Sequence, residues 1–416
     1  MLVFKFGGAS VKDAAGVRNL ARVLSLYPDK DIVVVVSAMA KTTNALEGLV
    51  RHFYETGAAD EQLFREIQSF HQEIVNELFP GGHGKLDQEL QTLFKQLQLI
   101  LEHPPEGGYN QIYDQIVCFG ELLSTHIVSA YLNEHGLSNR WLDARQLIRT
   151  DQNHRFARID WNFTARLLKE HLRSGQRYVI QGFIGSNDDL RPTTLGREGS
   201  DYTASVVGFI MDAEEVVIWK DVPGVLNGDP KTFDDTELLQ AISYREAIEL
   251  AYYGASVIHP KTIQPLQRKS IPLRVKSFLK PGDPGTSIGG DIPLVPMIPC
   301  FIKKDKQFLL TISTRDLAFI VEDHLSMIYK VFHQYGVRVN MTQNSAVSSS
   351  FCINFDPVTT PKLIEELKGE FDIRFSEDVN LYTVRHYDDP SRQRVRKTGA
   401  VLLEQVSPGT YQVVTH

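Results

Sequence analysis

The stretch Lys5-Phe6-Gly7-Gly8-Ala9-Ser10 follows directly on the apolar run Met1 to Phe4. A glycine pair at a strand-to-helix turn lets backbone N–H groups approach an anion, because no Cβ intervenes, and the following helix adds its positive end. Lys5 supplies a mobile full charge. The combination suits the β- and γ-phosphates of a nucleotide, where charge must be stabilised while a phosphoryl group moves. The stretch is neither a Walker loop nor a dinucleotide fingerprint. Taken alone, it reads as a tight turn beside a solvated lysine.

Two further stretches carry chemistry of the same kind. Thr194 to Ala204 is a glycine-containing turn with charged and hydroxyl side chains just before a helical segment, and its Arg197 can grip a carboxylate through two parallel hydrogen bonds. Trp219 to Lys231 ends a strand in the charged pair Lys220-Asp221 and runs on into a long loop rich in glycine and proline. In open α/β sheets, ligands sit at such strand ends.

The elements that must position these residues are legible in outline. The continuous apolar runs Leu2 to Phe4, Ile32 to Val36, Tyr178 to Ile180 and Val216 to Trp219 suit strands covered on both faces, so a sheet between two helical layers is expected. Leu63, Ile67, Phe70, Ile74 and Leu78 step by three or four, which predicts a helix over 61–79; a second is expected over 86–101. The breakers Pro80-Gly81-Gly82 and Pro104-Pro105-Glu106-Gly107-Gly108 make this pair a helical hairpin, a subdomain at about 60–105.

The alternation of strand and helix stops at Lys280 to Gly290, which places a domain boundary near residue 290. Beyond it, strands are expected at 308–313, 337–341 and 349–355, with helices at 324–335 and 361–369. That is a βαββα plan, a small sheet with helices on one face. It forms one full module at about 305–375. The remainder, about 376–416, reads as a shortened second module ending in a hairpin (400–404 with 411–414), joined by the basic run Arg392 to Lys397.

Composition narrows the partners. The chain has 416 residues and a formal charge of −7, which gives no field for wrapping a nucleic acid. Three widely spaced cysteines fit reduced, packed thiols and no zinc site. The N-terminal stretch does not read as a leader and the longest apolar run is too short to span a bilayer, so a cytoplasmic protein without a membrane partner is expected.

Taken together, the motifs resemble those of aspartate kinases, members of the amino acid kinase family with an αβα sandwich and a C-terminal α+β, ferredoxin-like ACT regulatory region. Lys5 to Ser10 is similar to the family's KFGGTS, and Ser37 to Asn44 (SAMAKTTN) to its second loop. Phe119-Gly120-Glu121, Gln181-Gly182-Phe183, the stretch around Arg197 and Asp201, and Ala251 to Pro260 follow in the family's order. The resemblance spans residues 1–290. The ACT-like tail, which other amino acid kinases usually lack, raises aspartate above acetylglutamate or glutamate as acceptor.

The resemblance implies transfer of the ATP γ-phosphoryl group to the side-chain carboxylate of L-aspartate, with Mg²⁺, giving 4-phospho-L-aspartate, the first step toward lysine, threonine, methionine and diaminopimelate. An acceptor carboxylate is already ionised at neutral pH, so the chemistry needs positioning and charge neutralisation more than a general base. By resemblance, Lys5 meets the transferring phosphoryl group while Gly7, Gly8 and Ser10 form the phosphate cradle. Asp201 orients Lys5 or organises the site around Mg²⁺; its competing reading is a helix N-cap. Arg197 takes the α-carboxylate of aspartate and Glu121 its ammonium group, with Ser37, Thr43, Phe183 and Ser200 as further substrate contacts. For Ser37 and Thr43 a turn role is a serious rival. Lys220, Asp221, Leu226, Lys231 and Ser256 line the nucleotide pocket, and His259 is structural.

Several positions depart from the family's pattern. Lys220 stands where threonine is usual, Leu226 for tyrosine, Ser256 for lysine, Glu198 for glycine and Ala9 for threonine. Lys220 is expected to replace the missing phosphate-side charge. In the tail, the loop 314–323 and the strand carrying Asn340 and Ser345 are the candidate effector site for lysine or threonine, with edge-strand and turn roles as the alternative. Asn340 replaces an aspartate often found in lysine-sensitive relatives. A homodimer paired through the ACT-like region is expected. The rival readings are a sibling kinase of the acetylglutamate type and a non-catalytic amino-acid sensor with a decayed nucleotide site.

Overall fold

The computed structural model describes residues 1–103, 107–255, 258–316 and 318–416. The chain divides into two units: 1–225 with 238–248 and 258–294, and 226–237 with 249–257 and 295–416.

The first unit is built on an eight-stranded sheet in the order Arg140–Leu142, Tyr178–Gln181, Ile32–Val36, Leu2–Phe6, Glu215–Lys220, Leu273–Ser277, Thr286–Gly289, Ala241–Ser243. All neighbours run parallel except Leu273–Ser277 with Thr286–Gly289. Every residue of Leu2–Phe6 and of Ile32–Val36 is buried. Side chains alternate across a strand, so burial of consecutive residues means both faces are covered, as the unbroken apolar runs require.

The register decides where the motifs meet. Phe6 lies opposite Val36 on one side and Trp219 on the other, and Val36 lies opposite Gln181. Four parallel strands therefore end at one level, and the turns that leave them begin at Gly7, Ser37, Gly182 and Asp221.

The expected helical hairpin is present as Glu61–Leu78 and Gly84–Glu102. Each helix is opened by a side-chain cap, Asp60 accepting from the Leu63 N–H at 3.0 Å and His83 Nδ1 from the Leu86 N–H at 3.1 Å. The breaker at 104–106 lies outside the described residues. The helix Tyr109–Glu134, 26 residues long, is not among the elements expected from sequence. By length and composition it could cross a membrane, yet 83% of its most apolar stretch is buried inside the protein. It is a core helix, apolar on nearly all sides, and so lacks the one-faced periodicity that betrays a surface helix.

The second unit holds a six-stranded antiparallel sheet in the order Val339–Asn344, Ser348–Asn354, Cys300–Thr314, Phe371–Arg385, Thr410–Thr415, Val401–Ser407. Its two central strands are 15 residues each and shift register between Lys304 and Leu309. The later half of Cys300–Thr314 joins the helices Glu322–Gln334 and Thr359–Leu367 and three strands in a βαββαβ arrangement around Phe308, Leu310, Ile328, Phe332, Phe351 and Leu363. The earlier half, Cys300 to Lys304, pairs with Leu381 to Arg385 and so completes the other half of the sheet, outside the span 376–416 read from sequence. The basic run read as a joiner belongs to the helix Asp389–Arg396. Arg392 and Arg394 of that helix pair with Glu404 and Asp235, each at 2.6 Å.

Candidate active site

Lys5 lies one residue before the end of its strand, and its Nζ stands 2.5 Å from Asp201 Oδ1. Lys220 Nζ is 3.7 Å from the other oxygen of the same carboxylate. Asp201 sits in the first turn of the helix Gly199–Ile210 and is buried. Burial alone would raise its pKa, but Lys5 and Lys220 together hold it below the usual carboxylate range. Asp201 is not the N-cap; that position is Glu198, which makes no side-chain cap. Glu198 adopts φ of 57°, the left-handed region where glycine is unstrained. Burial and the neighbouring Asp201 raise its carboxyl pKa.

The glycines of the first motif have steric reasons. A Cβ on Gly8 would stand 2.7 Å from the Ala38 carbonyl oxygen and 2.9 Å from that of Ala40, so the first two loops touch backbone to backbone. Ser10 is buried and closes the turn through its N–H on the Gly7 carbonyl at 2.9 Å. Gly120 plays the same part on the long helix: a Cβ there would meet that of Ala38 at 2.9 Å. Glu121 is thereby brought against the second loop, where its Oε1 accepts the Ala38 N–H at 3.2 Å. Its Oε2 is buried without a hydrogen-bond partner among the described residues, and burial pushes its pKa up to about 8. Such an oxygen beside an open cleft is suited to an incoming ammonium group.

Phe183 has φ of 70°, and its N–H donates to Thr203 Oγ1 at 3.0 Å. Gly182 and Gly199 let this turn abut the helix start, since a Cβ on either would fall 2.5 Å from the Ser200 side chain or 2.6 Å from the Phe183 ring.

These groups surround a cleft of about 480 Å³. Lys5, Ser37, Thr43, Glu121, Phe183, Arg197, Ser200 and Asp201, all expected from sequence, line it. So do Asn44, Glu47, Tyr113, Arg155, Phe156 and Glu198. Asn44 and Glu47 were within reach of sequence reasoning, lying in or one turn beyond the second loop. Nothing in the sequence pointed to Arg155 or Tyr113.

The other expected residues fall elsewhere. Lys220 meets the site through Asp201, and Asp221 is exposed at the strand end. Leu226 and Lys231 belong to the second unit, and Ser256 lies outside the described residues. Asn340, read as an effector contact, sits at a register shift between Val339 and Met341 that turns its side chain inward. Its amide donates to Gln307 Oε1 and Asn354 Oδ1, both at 2.7 Å, and accepts from Lys304 Nζ at 2.8 Å. This internal network occupies the groups an effector would need. Ser345 is an exposed hairpin-turn residue whose N–H donates to the Ser348 carbonyl at 2.8 Å.

The model of the amino acid kinase family matches residues 1–277. The chain belongs to the amino acid kinase family. Among its relatives, chloroplastic aspartokinase 1 of Arabidopsis thaliana is 32% identical over 377 residues, 88% of this chain and 65% of that protein. Lysine-sensitive aspartokinase 3 of Escherichia coli K12 is 30% identical over 396 residues, 92% of this chain and 86% of that one. The chain thus spans just under two thirds of the length of the Arabidopsis aspartokinases 1, 2 and 3. The solved structure of E. coli aspartokinase III in complex with lysine and aspartate, in the T-state, superposes with a TM-score of 0.81 at 26% identity and covers all of this chain and 96% of that one. The same enzyme with aspartate and ADP, in the R-state, gives 0.80 at 25% identity. The family assignment accounts for the α/β unit, and the antiparallel α+β unit that follows it has its counterpart in the aspartokinase III structure, which covers the whole chain.

Proposed function

We propose that the protein is an aspartate kinase that transfers the γ-phosphoryl group of Mg-ATP to the side-chain carboxylate of L-aspartate. The observation that carries this reading is one cleft holding Lys5, ion-paired to a buried Asp201, together with Arg197 and the buried Glu121, whose Oε2 has no hydrogen-bond partner among the described residues. Arg197 and Glu121, the latter once ionised, match the α-carboxylate and α-ammonium of a free amino acid. Lys5, reinforced by Lys220, supplies positive charge where a phosphoryl group would pass, and the backbone of Gly7 and Gly8 offers its N–H groups. Mg²⁺ would enter with the nucleotide; Asp201 and Glu198 are the carboxylates beside Lys5 that could meet it.

An acetylated amine would leave Glu121 without a partner, which disfavours the acetylglutamate-type alternative. The intact Lys5 and Asp201 pair disfavours a sensor with a decayed site. On this reading residues 1–290 are the catalytic domain and 291–416 a regulatory region that binds an amino-acid effector and pairs two subunits, in a cytoplasmic enzyme. Incubation with Mg-ATP, hydroxylamine and aspartate, glutamate or N-acetylglutamate in turn tests it. Aspartate alone should yield a hydroxamate trapped from its acyl phosphate; a hydroxamate from N-acetylglutamate, or from none of the three, would refute it.

A further inference from the structure

Arg155 lines the cleft in a backbone conformation that costs energy to hold. Its φ of 69° lies in the left-handed region, which non-glycine residues occupy at a penalty and often at functional positions. The anchor is Asp114, fully buried on the helix Tyr109–Glu134 two turns before Glu121. Its carboxylate accepts the Arg155 N–H at 3.2 and 3.1 Å, Thr194 Oγ1 at 2.6 Å and His154 Nδ1 at 2.7 Å. This buried knot fixes the Arg155 main chain against the wall of the cleft.

The side chain is oriented but weakly committed. Its guanidinium lies 4.2 Å from the centre of the Tyr113 ring and 5.6 Å from that of Tyr109. Its ion-pair partner is Glu47, with Nη2 3.3 Å from Oε1, and the two side chains are 29% and 31% exposed. A single long contact at a part-exposed site contributes little, whereas a guanidinium already held over aromatic rings loses little freedom on forming two parallel hydrogen bonds.

We propose that Arg155 is a specificity-determining residue of the acceptor site: its guanidinium exchanges Glu47 for the α-carboxylate of the amino acid and fixes it jointly with Arg197. This rests on the kinase reading of the cleft. Glu47 is the internal stand-in for that carboxylate and competes with it.

Steady-state kinetics of Arg155→Gly, Arg155→Lys and Glu47→Gln test the proposal, with aspartate and Mg-ATP varied separately. Glycine at 155 relieves the left-handed strain, so a melting temperature at or above the parent's certifies the fold. Arg155→Gly should raise KM for aspartate on the order of 10- to 100-fold, the size of a charge-assisted hydrogen bond, while KM for ATP stays within about twofold. Added guanidinium ion should recover part of the loss, and Arg155→Lys should fall between. Glu47→Gln should leave KM for aspartate at or below the parent value. An unchanged aspartate KM in Arg155→Gly, equal shifts in both KM values, or an increase in Glu47→Gln as large as that in Arg155→Gly would overturn the assignment while leaving the kinase reading intact. A parent protein that phosphorylates no amino acid overturns both.

Discussion

Glu121 is the side chain whose titration bears most on substrate binding. Its carboxyl, raised to about 8 by burial, carries a proton at neutral pH in the unliganded protein, yet it must be ionised to hold an ammonium group. Aspartate binding should therefore release a proton near pH 7, and KM for aspartate should fall as pH rises from about 6 to about 8. Calorimetry in buffers of different ionisation enthalpy reads the proton directly. The folded value lies above the ordinary 4.5, so the folded state keeps a proton that the unfolded chain has lost. Stability without ligand should then decline from about pH 4.5 to about pH 8, and Glu121→Gln should remove that slope. A flat proton balance on binding would mean that Glu121 does not meet the substrate. Lys5, Arg197 and Asp201 were legible in the sequence because each sits in a motif with glycines around it. Arg155 and Tyr113 were not, because a long-range anchor through Asp114 and the neighbouring helix brings them to the cleft.

Among the secondary-structure elements, the strand ends that gather the loops decide where the site forms. The four strands that end at one level were readable as unbroken apolar runs, since burial on both faces leaves no polar alternation. The helical hairpin was readable for the opposite reason, a single apolar face. The helix Tyr109–Glu134 fits neither pattern, and the long strands Cys300–Thr314 and Phe371–Arg385 hide a change of packing partner midway that no local pattern marks. The helix Gly199–Ile210 begins from a strained residue, Glu198 at φ 57°, whose half-buried carboxyl also faces Asp201. Glu198→Gly should relieve both and raise stability by about 1 kcal/mol in thermal or denaturant unfolding. A loss of similar size would show that the Glu198 carboxyl contributes more to the fold than its backbone strain costs.

For the whole molecule, the second unit is the part whose purpose the first does not explain. Its sheet is fully formed from 300 to 415, with two packed modules and no shortage of strands. A regulatory role predicts that turnover falls when lysine, threonine or methionine is titrated against the full chain. Because the Asn340 amide is engaged with Lys304, Gln307 and Asn354, changes at Asn340 should act by loosening that network more than by removing an effector contact. A flat response to all three amino acids would remove the regulatory role.

On the proposed reading Lys5 serves the phosphoryl group and Arg197 the acceptor, and the split between kinetic parameters in Lys5→Ala and Arg197→Ala separates the two roles. Lys5→Ala should lower kcat on the order of 10²-fold or more, with KM for aspartate little changed, as expected for a group that neutralises charge in the transition state. Arg197→Ala should raise KM for aspartate and leave KM for ATP near the parent value. A Lys5→Ala enzyme within a few-fold of the parent in kcat, or an Arg197→Ala enzyme with an unchanged aspartate KM, would contradict it.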